Sequence, residues 1–147
     1  MGFYLNPDND AFQESLASEI YVDKTGLIEK TNAVLDTRQK FLCVSRPRRF
    51  GKSMAADMLA AYYERGEDAD LLFRSLKISK AESYRAHLNQ YDVIKVNIQE
   101  FLSMTGSMDE MLSMLKKYLV FDLMEHFDDV RFRDESNLIQ VMKDVFS

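Results

Sequence analysis

A short apolar run leads into a loop rich in basic residues and then into a helical pattern, and this succession constrains the fold most strongly. Residues 41–44 read Phe-Leu-Cys-Val, which is typical of a strand buried on both faces of a parallel sheet. From Lys52 to Tyr62, apolar residues recur at helical spacing, and Gly66 follows as a helix stop. A strand, a loop and a helix in this order predict an α/β fold.

The rest of the chain adds a second strand and further helices to this prediction. Residues 92–98 are β-branched between polar neighbours, which indicates the second strand. Periodicity predicts helices over residues 24–35, 68–76, 108–127 and 135–146, the first of them with Asp23 as N-cap. A capping box of Ser107 and Glu110 precedes the helix over 108–127. A second capping box, of Ser79 and Glu82, predicts one more helix that ends just before Tyr91. We therefore expect short parallel strands flanked by helices and a helical C-terminal portion.

Length and composition exclude several classes of protein. The chain has 147 residues, of which 46% are hydrophobic, with 5 Gly and 2 Pro, so we expect one folded domain rather than a disordered or fibrous protein. We divide this single domain, residues 1–147, into a loop and helix at 1–40, a central part at 41–98 and a helical part at 99–147. No apolar run approaches the roughly 20 residues of a membrane span, and residues 1–10 do not resemble a secretory signal.

The single cysteine and the net charge indicate the cellular compartment and the classes of ligand that we expect. Cys43 lies inside the apolar run, so we expect a buried, inert thiol that forms no intrachain disulfide, in a cytoplasmic protein without membrane contact. The formal charge of -5 argues against a general coat for nucleic acid. Six cations nevertheless crowd a stretch without any acid: Arg38, Lys40, Arg46, Arg48, Arg49 and Lys52. This stretch is either a solvated basic edge or a local anion site.

Gly51, Lys52 and Ser53 stand between the predicted strand and the predicted helix, which is the context of a phosphate-binding P-loop. In such a loop, backbone N–H groups, the positive end of the helix dipole and a lysine ammonium converge on nucleotide phosphates. Lys52 is then expected to bridge the β- and γ-phosphates, and the Ser53 hydroxyl to ligate Mg²⁺. The predicted ATP and Mg²⁺ contacts come from Arg46, Pro47, Arg48, Arg49, Phe50, Gly51, Lys52, Ser53 and Met54, with Ser53 as the metal ligand.

The loop departs from the full P-loop motif at its first position, where Arg46 stands in place of glycine. A tight basic turn that binds no nucleotide is therefore the alternative interpretation. Arg48 and Arg49 are suited to bidentate phosphate contacts, and either could instead face solvent or pair with a carboxylate. The sequence leaves the choice between them open.

Two motifs carry a resemblance to a known family. The segment Tyr-Val-Asp-Lys-Thr at residues 21–25 precedes Ser-Arg-Pro-Arg-Arg-Phe-Gly-Lys-Ser at 45–53, and Asp-Val-Ile follows at 92–94. The chain resembles the bacterial AAA-ATPase-like family, whose members are P-loop ATPases of the STAND/AAA kind and often carry a C-terminal domain like PD-(D/E)XK nucleases. In this family Arg46 belongs to the usual loop, whereas Asp92 replaces a proline.

The resemblance also implies a Walker B strand that ends in acidic residues, and no such sequence occurs before Ser147. The nearest candidates, at residues 120–122 and 127–129, lie in helical pattern. We therefore expect this chain to be the N-terminal part of a longer ATPase, able to bind ATP but not to hydrolyse it alone. The two strands would then pair with each other or depend on a partner chain, and the missing C-terminal part and a homo-oligomer are the partners we expect.

Several other groups of residues allow a different function. Asp122, Glu125, His126 and Asp129 share helical spacing, for which we favour a solvated acidic face over a metal site. The methionines at 104, 108, 111, 114, 124 and 142 are expected to fill the core, or else to form an interface for the missing region. Tyr4 and Tyr21 are candidates either for adenine stacking or for the core, and Lys24 is a candidate nucleotide contact. The alternative function is an interaction module whose basic loop binds nucleic acid or an acidic protein. The third possibility is a scaffold whose loop binds nothing.

Overall fold

The computed structural model describes residues 4–45 and 52–146, with the side chain of Lys52 left out. Helices hold more than half of these residues. They are α1 (Asp10–Ala17), α2 (Gly26–Val34), α3 (Lys52–Tyr63), α4 (Asp70–Phe73), a 3₁₀ helix (Lys77–Lys80), α5 (Tyr84–His87), α6 (Ile98–Met104), α7 (Met108–His126) and α8 (Leu138–Val145).

The prediction of an α/β fold with parallel strands is wrong, because residues 4–45 and 52–146 contain no strand and form no sheet. Residues 41–45 are irregular and exposed, with 85% of Phe41 accessible to solvent. Near the second predicted strand there are two isolated bridges, antiparallel between Leu5 and Ile94 and parallel between Glu64 and Tyr91. An apolar, β-branched run becomes a strand only when a neighbouring backbone accepts its hydrogen bonds, and single-residue bridges do not supply that ladder.

The helix predictions agree better with the structure, because the predictions over 24–35, 108–127 and 135–146 each contain one observed helix, and α3 begins at the predicted Lys52. The capping box at Ser107 is confirmed. Its hydroxyl accepts the N–H of Glu110 at 3.2 Å, and the Glu110 carboxylate accepts the N–H of Gly106 at 3.0 Å. The capping box at Ser79 is wrong, since Ser79 lies inside the 3₁₀ helix and its hydroxyl donates to the Leu76 carbonyl at 2.8 Å.

The contacts group the chain into two compact units, which we call the large unit (residues 8–93) and the small unit (residues 1–7 and 94–147). The core of the large unit is aromatic. Phe12 stacks on Phe73 with ring centroids 4.9 Å apart, and Tyr62 meets Phe73 edge-on at 5.6 Å. Ile28 and Ile78 are also fully buried in this cluster. The large unit therefore has a continuous core of its own.

The small unit has a smaller core, in which Leu5, Leu123 and Val141 are buried together. The small unit also contains one buried carboxylate. Asp122 accepts the backbone N–H of Tyr4 at 2.6 Å and that of Leu5 at 3.3 Å. The N-terminal segment is thereby held against α7. Compact units do not by themselves decide the number of domains, so the single domain stays a prediction.

Within residues 4–45 and 52–146, no helix is long and apolar enough to cross a membrane.

Candidate functional site

The predicted nucleotide loop falls largely on residues 46–51, which lie outside the described residues. The roles of Arg46, Pro47, Arg48, Arg49, Phe50 and Gly51 therefore stay predictions. The structure does describe the helix that follows the loop. Helix α3 begins at Lys52, and Ser53 and Met54 are exposed in its first turn.

The electrostatics at the start of α3 favour the binding of an anion. The first turn contains no acidic side chain, so no carboxylate there offsets the positive end of the helix dipole. The unpaired N–H groups of a first turn are phosphate donors, and the exposed Ser53 provides a hydroxyl oxygen beside them. The described residues thus fit a phosphate chain, with Ser53 accessible to a Mg²⁺ ion bound to it.

The segment before the loop differs from its predicted form. Cys43 is exposed, so the prediction of a buried thiol is wrong. Phe41 is exposed as well, and the ammonium of Lys40 lies 5.5 Å from the centre of its ring. Burial of residues 41–44 required a strand partner on each side, and the described residues supply none.

The far end of α3 is anchored by a buried polar network. The hydroxyl of Tyr63 donates to the Asn32 side-chain oxygen at 2.6 Å and also contacts the Thr31 hydroxyl. The amide of Asn32 donates to the Tyr62 hydroxyl at 3.2 Å, and Tyr62 donates in turn to the backbone carbonyl of Tyr84 at 2.7 Å. Burial raises the pKa of Tyr63 to about 12, further above neutral pH than the usual value for a phenol.

This network was not foreseen from the sequence, although α2 contains its signal. Thr31 and Asn32 follow Ile28 by three and four residues, so both polar side chains share the buried face of α2. A polar residue on a buried face needs a hydrogen-bond partner. Here the partners are the tyrosines at the end of α3, which fixes α2 against the helix that follows the loop.

Asp23 is a bridge between distant segments rather than the predicted helix cap. One carboxylate oxygen accepts the N–H of Thr25 at 2.9 Å and its hydroxyl at 2.6 Å, and the other accepts the N–H of Lys77 at 2.8 Å. Thr25, which occupies the N-cap position of α2, also accepts the N–H of Ile78 at 3.1 Å. The Tyr-Val-Asp-Lys-Thr motif therefore fastens the start of α2 to the 3₁₀ helix.

The pKa of Asp23 reflects this role. Burial alone raises the pKa of this carboxyl group, but the hydrogen bonds from Thr25 and Lys77 outweigh it, and the net pKa is lowered. The ionised form is thus the one that the folded large unit prefers.

The neighbours of Asp23 divide between core and surface. Tyr21 is half-buried and meets Phe12 edge-on at 6.3 Å, in line with the core interpretation rather than adenine stacking. Tyr4 likewise packs on Phe101 in the small unit, with centroids 5.5 Å apart. Lys24 is exposed, and its approach to a nucleotide stays a prediction.

The acidic candidates in α7 do not form one solvated face. Asp122 is only 2% exposed and holds the backbone of Tyr4 and Leu5, which corrects the predicted acidic surface at this position. Glu125, His126 and Asp129 are exposed. Among the described residues, no three His, Cys, Asp or Glu side chains are grouped so that they could hold a metal ion.

Comparison with known proteins gives one positive result. A family model described as a predicted AAA-ATPase, the AAA-ATPase-like family, matches residues 11–147. No curated protein and no solved structure matches the chain. The matched region contains both motifs, at residues 21–25 and 45–53, and extends through α8.

Proposed function

Since the chain belongs to the AAA-ATPase-like family, we propose that it binds ATP with Mg²⁺ through residues 46–54. Backbone N–H groups of the loop and of the first turn of α3 bind the phosphates, and Lys52 neutralises the β- and γ-phosphates. Ser53 ligates Mg²⁺. Arg46, Arg48 and Arg49 add positive charge around the triphosphate.

One observation carries this proposal: the Gly-Lys-Ser sequence opens directly into a helix whose first turn contains no acid and exposes Ser53. A carboxylate in that turn would repel phosphate and compete for the same N–H groups. The buried network of Tyr62, Tyr63 and Asn32 supports the proposal from the other end, since it holds α3 in place against α2.

We further propose that these 147 residues do not hydrolyse ATP alone. Hydrolysis needs a carboxylate that positions Mg²⁺ or the attacking water. Of the acidic candidates named above, Asp122 is buried and already accepts two backbone N–H groups, and Asp128 and Asp129 follow a helix rather than a strand. In this proposal turnover belongs to a longer protein, in which a Walker B strand would follow.

The alternative is binding of a polyanion or an acidic protein. It is favoured by the exposed cations Arg38 and Lys40 beside the exposed apolar side chains of Phe41 and Leu42. Such a patch responds to charge rather than to the number of phosphates on a nucleotide, and its binding weakens steeply with salt.

Calorimetric titration tests the two functions against each other. ATP with Mg²⁺ and AMP are titrated into the 147-residue chain, into Lys52→Ala and into Lys30→Ala, an exposed lysine of α2 that serves as the matched control. We expect saturable ATP binding that Lys52→Ala weakens at least about 100-fold, equivalent to about 2.7 kcal/mol, that Lys30→Ala leaves unchanged, and that AMP does not reproduce.

A further variant and a change of salt complete the test. Ser53→Ala should bind ATP with a reduced dependence on Mg²⁺, while circular dichroism shows the same helix content as the parent chain. Equal binding of AMP and ATP, with a steep loss of affinity between low and moderate salt, would instead establish the polyanion surface. Absence of ATP binding by the folded parent chain would overturn the proposal.

A further inference from the structure

An apolar groove of about 710 Å³ opens on the small unit. Its walls come from α6, from α7 and from the N-terminal segment. The apolar part of the lining is formed by Tyr4, Met104, Tyr118, Val120, Phe121 and Met124. None of these residues belongs to the proposed ATP site, so the groove is a separate feature of the chain.

The groove exposes more apolar surface than a folded domain usually leaves open. Phe121 is 62% exposed and Met104 is 50% exposed. Exposed apolar side chains that line one groove mark interaction sites. The lining on α7 extends from Lys117 to Met124, about two helical turns, so the groove is long enough to receive a stretch of helix.

The charges at the groove favour a basic occupant. Glu100 and Glu135 line it, whereas Lys117 is the base among the described lining residues. Acids outnumber bases ten to six between residues 94 and 147. Burial and, after it, the nearby carboxylates of Glu100 and Asp122 raise the pKa of Tyr4, in line with the excess of carboxylates over bases in the lining.

The side chains are also of the type that receives a helix. Methionine is unbranched and polarisable, so Met104 and Met124 can adapt to apolar groups of different shape. Grooves between two helices commonly bind the apolar face of a third, which inserts side chains at positions i, i+3, i+4 and i+7. The aromatic rings of Tyr118 and Phe121 offer the rigid part of such a surface.

We propose that this groove binds an amphipathic helix of a partner protein, whose apolar face enters the groove and whose flanking Lys or Arg side chains pair with Glu100 and Glu135. The apolar contacts supply most of the affinity, because burial of exposed Phe and Met side chains removes apolar surface from water. The carboxylates select basic over acidic helices. This interaction does not depend on the proposed ATP site.

A synthetic peptide provides the test. The probe is a fluorescein-labelled peptide of about 14 residues, built from Leu at helical spacing and Lys elsewhere, and its matched control carries Glu at every Lys position. Fluorescence anisotropy is followed while the 147-residue chain is added. We expect saturable binding of the Lys peptide and at least about tenfold weaker binding of the Glu peptide.

Variants then locate the binding surface. Phe121→Ser should weaken the Lys peptide about tenfold or more, and the pair Glu100→Gln with Glu135→Gln should weaken it several-fold. Lys117→Gln should tighten it, because one repulsive charge is removed. Ile139→Ser changes an equally exposed apolar residue outside the lining and is the matched control, expected to leave binding unchanged.

Three results would overturn the proposal. The first is absence of binding by the folded parent chain, and the second is binding that Phe121→Ser does not affect. The third is self-association in sedimentation experiments that Phe121→Ser abolishes, since the occupant would then be a second copy of this chain. The side chains changed in the lining and in the control are exposed, so unfolding is not the expected cause of any loss: Glu100, Lys117, Phe121, Glu135 and Ile139.

Discussion

The large and small units differ in how completely they bury their described aromatic side chains, since the large unit exposes only Phe41 among them. In the large unit Phe12, Phe73, Tyr62 and Tyr84 lie in one buried cluster, and each of the two tyrosine hydroxyls donates a hydrogen bond. In the small unit Phe101 is buried, but Phe121, Phe146 and much of Tyr118 face solvent. The large unit therefore has the features of a self-sufficient core, whereas the small unit leaves three aromatic rings exposed.

The two units each use one carboxylate in a similar way. Asp23, which is half-buried, joins α2 to the 3₁₀ helix in the large unit, and the buried Asp122 joins α7 to the N-terminal segment in the small unit. In both units the carboxylate accepts backbone N–H groups from a segment that is distant in sequence. Polar anchors thus hold together segments that are far apart in sequence, and hydrophobic burial then determines how much stability each unit has.

Removal of one aromatic ring from each unit should have the most unequal effects. Phe73→Ala removes a fully buried ring that contacts Phe12 and Tyr62, and we expect it to lower the free energy of unfolding by about 3–5 kcal/mol. Phe121→Ala changes an exposed ring, and we expect an effect within about 0.5 kcal/mol. Urea denaturation followed by circular dichroism measures both. Equal losses would show that the two rings are equally buried, and Phe73→Leu is the milder variant if Phe73→Ala does not fold.

The anchor of the small unit should give the next largest effect. Asp122→Ala leaves the buried N–H of Leu5 and the N–H of Tyr4 without their acceptor, and we expect a loss of about 2–3 kcal/mol. Asp129→Ala removes an exposed carboxylate from the turn that follows the same helix and should change stability by less than about 0.5 kcal/mol. Denaturation midpoints of both variants provide the comparison. Similar midpoints would place Asp122 on a solvated surface.

The contribution of Asp23, the anchor of the large unit, to stability can be tested by changing the pH. Asp23→Asn should cost about 1–2 kcal/mol at pH 7, because the neutral amide accepts the N–H groups of Thr25 and Lys77 less strongly. The folded-state pKa of Asp23 is lowered, so its ionised form stabilises the fold above the unfolded pKa of about 3.9. That contribution disappears as pH falls through the lowered pKa.

Urea midpoints of the parent chain and Asp23→Asn should therefore converge when pH is lowered from 7 toward 3. Glu82→Gln, which neutralises an exposed carboxylate of the same unit, is the matched control and should show no such convergence. A constant difference between Asp23→Asn and the parent chain at all pH values would contradict the role of the ionised carboxylate.

The smallest effect concerns the two serines for which the sequence predicted capping boxes, one in each unit. Ser107→Ala removes the acceptor of the Glu110 N–H at the start of α7 and should cost about 1 kcal/mol. Ser79→Ala removes only a hydroxyl that donates to the Leu76 carbonyl, so we expect no more than about 0.5 kcal/mol. Thermal denaturation of the two variants, prepared side by side, measures the difference. A larger loss for Ser79→Ala would mean that its capping box forms after all.

Only part of the candidate site was predicted from the sequence. The helix that begins at Lys52 and the family were predicted from the sequence, and α3 and the family match confirm them. The phosphate-binding role of Gly51, Lys52 and Ser53 stays a prediction. The anchoring of α3 was not foreseen, because Asn32 and Tyr63 are 31 residues apart and helical periodicity contains no information on their contact. Asp23 was taken for a cap for the same reason, since its partner Lys77 is 54 residues away.

Local sequence decided where the main helices lie, the capping of α7 by Ser107 and the chemistry available at the loop. These depend on hydrogen bonds and side-chain contacts within about four residues, so a short window of sequence contains the information. Tertiary structure alone decided that residues 41–44 remain exposed, that Asp122 is buried while Asp129 is not, and that a groove opens beside Phe121. Strand pairing, burial of a carboxylate and the shape of a groove all depend on segments that are distant in the chain, and only the folded structure brings those segments together.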